Sequence, residues 1–103
     1  MTHRQEATEA PHDPLELAAG LFKALGNRDR LCLLTALQRE ELCVGELERQ
    51  LCILQPTLSQ QLTVLRRYGL VATRRAGKRV YYHLADRHAR FLMTALQGLA
   101  EAR

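Results

Sequence analysis

Apolar residues recur every three or four positions in the first third of the chain, and this spacing predicts two helices. The first is expected at about residues 14–25, because Asp13 and Pro14 form a typical helix start. The second is expected at about residues 28–38, with Asn27 as its N-cap, and should be central to the fold. The predicted inward residues are Ala18, Leu21, Phe22 and Leu25 in the first helix and Leu31, Leu34 and Leu37 in the second.

A short helix, a turn and a longer amphipathic helix are expected next, which is the arrangement of a helix-turn-helix motif. The third helix is predicted at about residues 44–51, with Cys43 at the N-cap and Glu46 at the third helical position. Pro56 is expected to occupy the first position of the fourth helix, and Gly69 to end it. The inward residues of this helix are Leu58, Leu62 and Leu65.

After Gly69 the apolar period changes to two, which predicts strands. Residues 70–75 and 78–84 are expected to form a hairpin joined at Ala76 and Gly77. A last helix is predicted at about residues 87–101, with Asp86 as its N-cap. Its apolar stripe exceeds what so small a domain needs for its own core, so a second chain is expected to cover it. The stripe consists of Leu92, Ala95, Leu96 and Leu99.

The chain has 103 residues and a mass of 11.7 kDa, which suits one domain and excludes a multi-domain enzyme. The expected fold is mainly α with a small β-hairpin wing. Residues 14–103 would form this domain, and residues 1–13 a flexible N-terminal arm.

Charge is distributed unevenly. The net charge is +4, but residues 66–90 contain eight Lys or Arg against one Asp, so this segment carries +7 and the remainder −3. Basic groups at a hairpin can contact phosphates and release counterions, which gives salt-dependent affinity for nucleic acid. A solvated basic face is the plainer alternative.

The outward face of the fourth helix is polar and almost uncharged. Gln can pair with adenine, and Ser or Thr can bond several bases, so this face suits a major groove, although a merely solubilising surface has the same composition. The predicted base contacts are Thr57, Ser59, Gln60, Gln61 and Thr63, with Arg67 beside them. The predicted phosphate contacts of the wing are Arg74, Arg75, Lys78 and Arg79.

Candidate catalytic groups are few. The residues His3, His12, His83 and His88 form no pairing of base and nucleophile, and no Gly-rich phosphate loop accompanies them, so an enzyme is not expected. No segment has the length of apolar sequence that a membrane span needs, and the N-terminus has no signal-peptide pattern. Three cysteines without an export signal argue for reduced thiols and a cytoplasmic protein.

Several of these segments together resemble the ArsR/SmtB family of bacterial winged-helix repressors. The resemblance runs from about Leu17 to Leu99 and implies a homodimer built on the first and last helices. It further implies a palindromic operator in double-stranded DNA, with the fourth helix in the major groove and the wing at the flanking backbone or minor groove. The matching segments are LCVGEL at 42–47, QPTLSQQL at 55–62, residues 64–66 and 69–71, Arg74, Arg75, Gly77, and VYYHL at 80–84.

The resemblance also implies release of DNA by a metal or an oxidant, but each sensor site of the family is incomplete. At the thiolate site of the third helix, Cys43 matches the first cysteine, while Gly45 stands at the second. Asp86 and His88 match the start of the fifth-helix metal site, and Leu99 stands where a second histidine is expected. A further branch of the family uses cysteines in the second and fifth helices. Thr35 occupies the first of those positions, and the fifth helix has no cysteine.

No metal site and no required cofactor are therefore predicted, although a soft metal or metalloid effector stays open. The candidate sensor residues are Cys43, Cys32 and Cys52. Cys43 is the strongest, because a helix N-terminus favours a thiolate, whereas Glu41 and Glu46 oppose one. Cys32 and Cys52 are otherwise expected to be small packed residues.

The sequence thus predicts a dimeric, sequence-specific DNA-binding repressor that a thiol-reactive, redox or soft-metal signal releases. A winged-helix module that binds another protein, and a family repressor with no small-molecule inducer, are the alternatives.

Overall fold

The computed structural model describes residues 13–103; apart from Asp13, the expected N-terminal arm lies outside the described residues. The five helices and the hairpin are confirmed, each within about a residue of its expected bounds. The helices are α1 (Pro14–Leu25), α2 (Arg28–Arg39), α3 (Val44–Gln50), α4 (Thr57–Arg67) and α5 (Arg87–Glu101). The strands are β1 (Leu42–Cys43), β2 (Val71–Ala76) and β3 (Arg79–Leu84).

Local capping explains where the helices begin. The side chain of Asp13 accepts a hydrogen bond from the backbone N–H of Leu15 at 3.0 Å, and that of Asn27 accepts one from Arg30 at 3.1 Å. Asp86 does the same for Ala89 at 3.0 Å. Each of these caps satisfies an N–H that has no partner within its helix, so all three predicted starts are confirmed.

At α4 the predicted start is one residue early. The helix begins at Thr57, and Pro56 is its N-cap instead of its first residue. The predicted end at Gly69 is confirmed, because Gly69 has a φ of +73°. The N–H of Leu70 bonds to the carbonyl of Leu65 at 2.9 Å and that of Gly69 to Arg66 at 3.0 Å, which is a Schellman motif. Leu70 is thereby buried, and the chain passes directly into β2.

The wing is a three-stranded antiparallel sheet in the order β1-β3-β2, and β1 is a strand that the sequence did not predict. It pairs Leu42 with Tyr82 and Cys43 with Tyr81. A strand of two residues is too short to show an alternating pattern, so it depends on β3 for its existence. The hairpin turn lies at Gly77 and Lys78, one residue later than expected, and Gly77 supplies the positive φ that the turn needs.

The core surrounds α2, which packs against α1, α4, α5 and β3. Leu34 and Leu37 are buried as predicted, whereas Leu31 is only half-buried and Leu33 fills the centre. The largest fully buried side chains are Leu33, Leu34, Leu37, Leu42, Leu47, Leu58, Leu62 and Leu65. The inward face predicted for α4 is therefore confirmed, and its opposite face lies outside the core.

The prediction that Phe22 lies inward is wrong: its side chain is 68% exposed. The last two turns of α1 reach the core, where Ala24 and Leu25 are buried and Leu21 is half-buried against it. The apolar spacing of α1 thus includes residues that pack on the core, Leu21 and Leu25, and one large residue, Phe22, that stays exposed. Helix α5 has a comparable face, with Phe91 76% exposed, while Ala89 and Met93 pack inward.

Among residues 13–103, no helix combines the length and apolarity that crossing a membrane requires.

Candidate nucleic-acid interface

The outward face of α4 carries the predicted base contacts, but these side chains differ in how free they are. Gln60 is exposed and makes no side-chain hydrogen bond within residues 13–103. Thr63 is exposed, and its hydroxyl donates to the carbonyl of Ser59 at 2.9 Å, which leaves its oxygen able to accept. Thr57 is half-buried at the helix start. Gln60 therefore retains the full donor and acceptor pair with which a glutamine can contact adenine.

Ser59 is engaged by a residue that the sequence did not single out. The side-chain oxygen of Gln55 accepts hydrogen bonds from the backbone N–H of Ser59 at 3.0 Å and from its hydroxyl at 2.8 Å. Gln55 thus caps the start of α4 from outside the helix. Glutamine is not a preferred capping residue, so the signal for this role in the sequence is weak.

Gln61, another predicted base contact, is held within the protein. Nη1 of Arg30 in α2 donates to Oε1 of Gln61 at 2.7 Å, and Gln61 is half-buried. Its carbonyl oxygen is therefore already bonded. Arg30 was not among the predicted site residues, because nothing in the local spacing links it to a residue 31 positions away.

Basic side chains border the polar face at the end of α4. Arg67 is exposed as predicted, and Arg66 and Thr63 lie beside it along a shallow cleft of about 310 Å³. Arg66 is an addition to the predicted set. Both guanidinium groups lie in the last turn of the helix, next to the polar residues expected to contact bases.

In the wing, Arg75, Lys78 and Arg79 are exposed, but Arg74 has a carboxylate partner. Nη2 of Arg74 lies 2.8 Å from Oε1 of Glu41, and its Nε donates to the same oxygen at 2.8 Å. The hydrogen bond from Arg74 lowers the pKa of Glu41 below its ordinary value, and Glu41 raises the pKa of Arg74. The Arg74 guanidinium also stacks over the Tyr81 ring, 5.1 Å from its centre.

Cys43 lies where α3 meets the wing. It is the N-cap of α3 as predicted, and it lines a cleft of about 340 Å³ together with Arg49 and Arg79. The Tyr81 phenol, and after it the Cys43 thiol, raise the pKa of Arg79. A positively charged side chain and the thiol therefore line the same cleft.

Glu46 places a carboxylate beside Cys43. Its Oε1 accepts a hydrogen bond from the Cys43 backbone N–H at 2.9 Å. This bond, and after it the neighbouring Cys43 thiol, lower the pKa of Glu46, so a carboxylate faces the sulfur.

The other two cysteines differ from each other. Cys32 is half-buried and packs against the core, in keeping with a small packed residue. Cys52 is exposed, so its expected packing is wrong. All three thiols are free, and no group of three or more His, Cys, Asp or Glu in the described part of the chain is arranged to hold a metal ion.

Known proteins are similar to this chain in both sequence and fold. The bacterial regulatory proteins of the arsR family match residues 27–73. A biofilm growth-associated repressor from Agrobacterium fabrum is 49% identical over 79 residues, which are 77% of this chain and 68% of the relative. The crystal structure of the transcriptional repressor BigR from Xylella fastidiosa is similar with a TM-score of 0.74 at 42% identity, over 98% of this chain and 95% of that one.

A solution structure from Mycobacterium bovis gives a TM-score of 0.80 at 31% identity, over 98% of this chain and 88% of that one. That protein is a homodimeric winged helix-turn-helix DNA-binding domain of a possible ArsR-family regulator. These relatives are transcriptional regulators, in agreement with the prediction that the chain is not an enzyme. The chain belongs to the arsR family of bacterial regulatory proteins and is a winged helix-turn-helix, DNA-binding transcriptional regulator.

Proposed function

We propose that this chain is a cytoplasmic repressor that binds a palindromic operator in double-stranded DNA as a homodimer. One observation carries the proposal: residues 52–85, which include α4, β2 and β3, contain six Lys or Arg and no Asp or Glu. The polar face of α4 would enter the major groove, and the wing would contact phosphates beside it.

Twofold symmetry follows from the exposed apolar faces of α1 and α5. Phe22 and Phe91 are large and exposed, and α1 and α5 both pack on α2. A second copy of the chain is therefore suited to bury these two side chains. The homodimeric relative from Mycobacterium bovis supports this arrangement. Residues 14–103 would form the binding and dimerisation domain, with residues 1–13 as an arm.

The base and phosphate contacts can be separated by substitution. The operator probe is the duplex that the wild-type protein selects from a randomised pool. Gln60→Ala should reduce the preference for the selected duplex over a random one, because a good base contact provides about 1–3 kcal/mol of discrimination. Lys78→Ala should weaken binding to both duplexes equally and flatten the salt dependence by roughly one unit.

Arg39→Ala is the matched control, because Arg39 is an exposed arginine at the end of α2, outside the interface. It should leave both affinities unchanged. If Gln60→Ala and Lys78→Ala also leave them unchanged, the assigned surface is wrong. A wild-type protein that shows no salt-dependent binding to any duplex would favour a protein-interaction module instead.

The signal that releases the operator is proposed to act at Cys43, through a thiol-reactive, redox or soft-metal agent. Support comes from its position: Cys43 pairs with Tyr81 of the wing and shares a cleft with Arg49 and Arg79. An adduct on the sulfur would therefore press on the wing strand.

The sensor proposal is tested by measuring operator release during titration with oxidant, sulfane sulfur, arsenite and zinc. Cys43→Ser should shift or abolish release by at least one of these agents. Cys32→Ser and Cys52→Ser are the controls, since one thiol packs against the core and the other is exposed. Release curves that are identical in all four proteins would remove the thiols from the mechanism and favour a repressor without a small-molecule inducer.

A further inference from the structure

Arg30 joins three elements that carry different parts of the proposed function. Its Nε donates to the carbonyl of Ala24 and its Nη2 to that of Lys23 at 3.3 Å, both in the last turn of α1. Its Nη1 donates to Oε1 of Gln61 in α4 at 2.7 Å. We call this set, Arg30 with the two carbonyls and Gln61, the Arg30 clasp.

The chemistry of the clasp suits a fixed orientation. The last carbonyls of α1 lie at the negative end of its dipole and so attract a guanidinium, although that of Lys23 also accepts the N–H of the cap residue Gly26 at 3.3 Å. A guanidinium is a planar fork, and its three donor positions used here point in set directions. Gln61 is therefore held at a defined place relative to the end of α1.

This arrangement changes the role of Gln61. Bidentate pairing with adenine needs the side-chain oxygen and the amide N–H both turned toward the base. Oε1 of Gln61 is bonded to Arg30, whereas the side chain of the neighbouring Gln60 makes no hydrogen bond within the described residues. The two adjacent glutamines thus divide into one that faces the ligand and one that faces the protein.

A direct contact with α1 lies at the C-terminal end of α4. A methyl group built on Gly20 would lie 3.1 Å from Cε1 of Tyr68, which is tighter than an ordinary contact. Tyr68 directly follows α4 and contacts α1 itself, whereas Gln61 is linked to α1 only through Arg30 of α2. These two separated links limit rotation of one helix against the other.

We infer that Arg30 is a positioning residue for DNA recognition, and that Gln61 is its anchor on α4 and makes no base contact. The clasp sets the angle of α4 against α1 so that Gln60 and Thr63 face the groove. This inference rests on the proposed operator binding. Because α1 is also part of the proposed dimer interface, the clasp would fix the distance between the two recognition helices of the dimer, and with it the half-site spacing.

The test compares Arg30→Met, Arg30→Lys, Gln61→Met and the double variant Arg30→Met/Gln61→Met. Each is titrated with the duplex that the wild type selects from a randomised pool, with a random duplex, and with versions of the selected duplex whose half-sites lie one base pair closer or farther. Arg28→Met is the matched control, since it removes an exposed arginine two residues earlier on α2. Thermal unfolding at equal protein concentration checks the fold.

Arg30→Met and Gln61→Met should each weaken binding to the selected duplex roughly tenfold, the size expected for a lost charge-assisted hydrogen bond, and change random-duplex binding less than about twofold. The double variant should lose little more than either single one, because both remove the same bond. Arg30→Lys should lose affinity as well, since an ammonium lacks the fork. All four should discriminate less against altered spacing.

Four results would overturn the inference. A changed base preference at one operator position in Gln61→Met alone would make Gln61 a base contact. Equal losses on selected and random duplexes would reduce Arg30 to a structural role. If the wild type is clearly selective and the variants bind as it does, the clasp has no role. If the wild type selects no sequence, operator binding is refuted, and the clasp with it. Should Arg30→Met not fold, Arg30→Lys and Gln61→Met decide the same question.

Discussion

Arg74 and Arg75 are neighbours in β2, but only Arg74 lies against a carboxylate. Its partner Glu41 precedes β1, and both side chains are partly exposed, so the ion pair contributes little stability. A DNA phosphate would have to compete with Glu41 for Arg74. The number of basic side chains in the wing therefore overstates the number that are free to bind DNA.

Glu41→Gln should release Arg74 and increase affinity for all duplexes several-fold. The salt dependence should become steeper by up to about one unit, because one more phosphate contact would release counterions. Titration of the selected and random duplexes at several salt concentrations measures both effects.

Glu40→Gln is the control for this experiment, because Glu40 is an exposed neighbour without a salt bridge among the described residues and carries the same charge. It should produce a smaller gain and no change in slope. Equal gains in affinity for the two variants would mean that only net charge matters and that the ion pair with Glu41 does not keep Arg74 from binding DNA.

Single helices and strands show which features are local. Gly69 ends α4 and begins the passage into β2, and its φ of +73° lies in the left-handed region. A Cβ built there would have nothing within 4 Å, so the backbone conformation alone requires glycine.

Gly69→Ala should lower the free energy of unfolding by about 1–2 kcal/mol, the cost of placing an L side chain in the left-handed region. Gly69→Asn should cost less, since asparagine tolerates this conformation. Urea unfolding at one fixed protein concentration is the measurement, because a dimer's stability depends on concentration. Equal losses for Ala and Asn would mean that space around Gly69, and not its φ, is limiting.

Two helices carry most of the large apolar side chains that are exposed among residues 13–103. Leu15 and Phe22 on α1 and Phe91 and Leu99 on α5 are exposed, although both helices pack on the core. An exposed patch of this kind typically marks a protein interface. In the proposed dimer these faces are covered.

Phe91→Asp should produce a folded monomer, because the side chain is exposed in the single chain and a carboxylate buried in an interface is costly. Sedimentation should show half the wild-type mass with an unchanged circular dichroism spectrum, and affinity for the palindromic duplex should fall by more than about tenfold as the second half-site is lost. Leu54→Asp is the control for oligomerisation, since Leu54 is 71% exposed but lies between α3 and α4. A Phe91→Asp protein that remains dimeric would place the interface elsewhere.

The sequence alone determined the five helices, the hairpin and the class of ligand. Helix starts at Asp13, Asn27 and Asp86 and the end at Gly69 are encoded within a few residues of the position they control, so spacing and capping rules were sufficient. The buried leucines of α4 and the basic segment were also visible, because periodicity and charge are properties of the chain itself.

Which of these side chains lack a partner within the described residues depends on tertiary contacts. Gln60 and Gln61 are indistinguishable by residue type, and the difference between them comes from Arg30, 31 positions away. Arg74 is likewise paired with Glu41 across 33 positions, and β1 exists because β3 lies beside it. The exposure of Phe22 has the same cause: helical spacing identifies an apolar face, but the packing of α1 on α2 determines what that face meets.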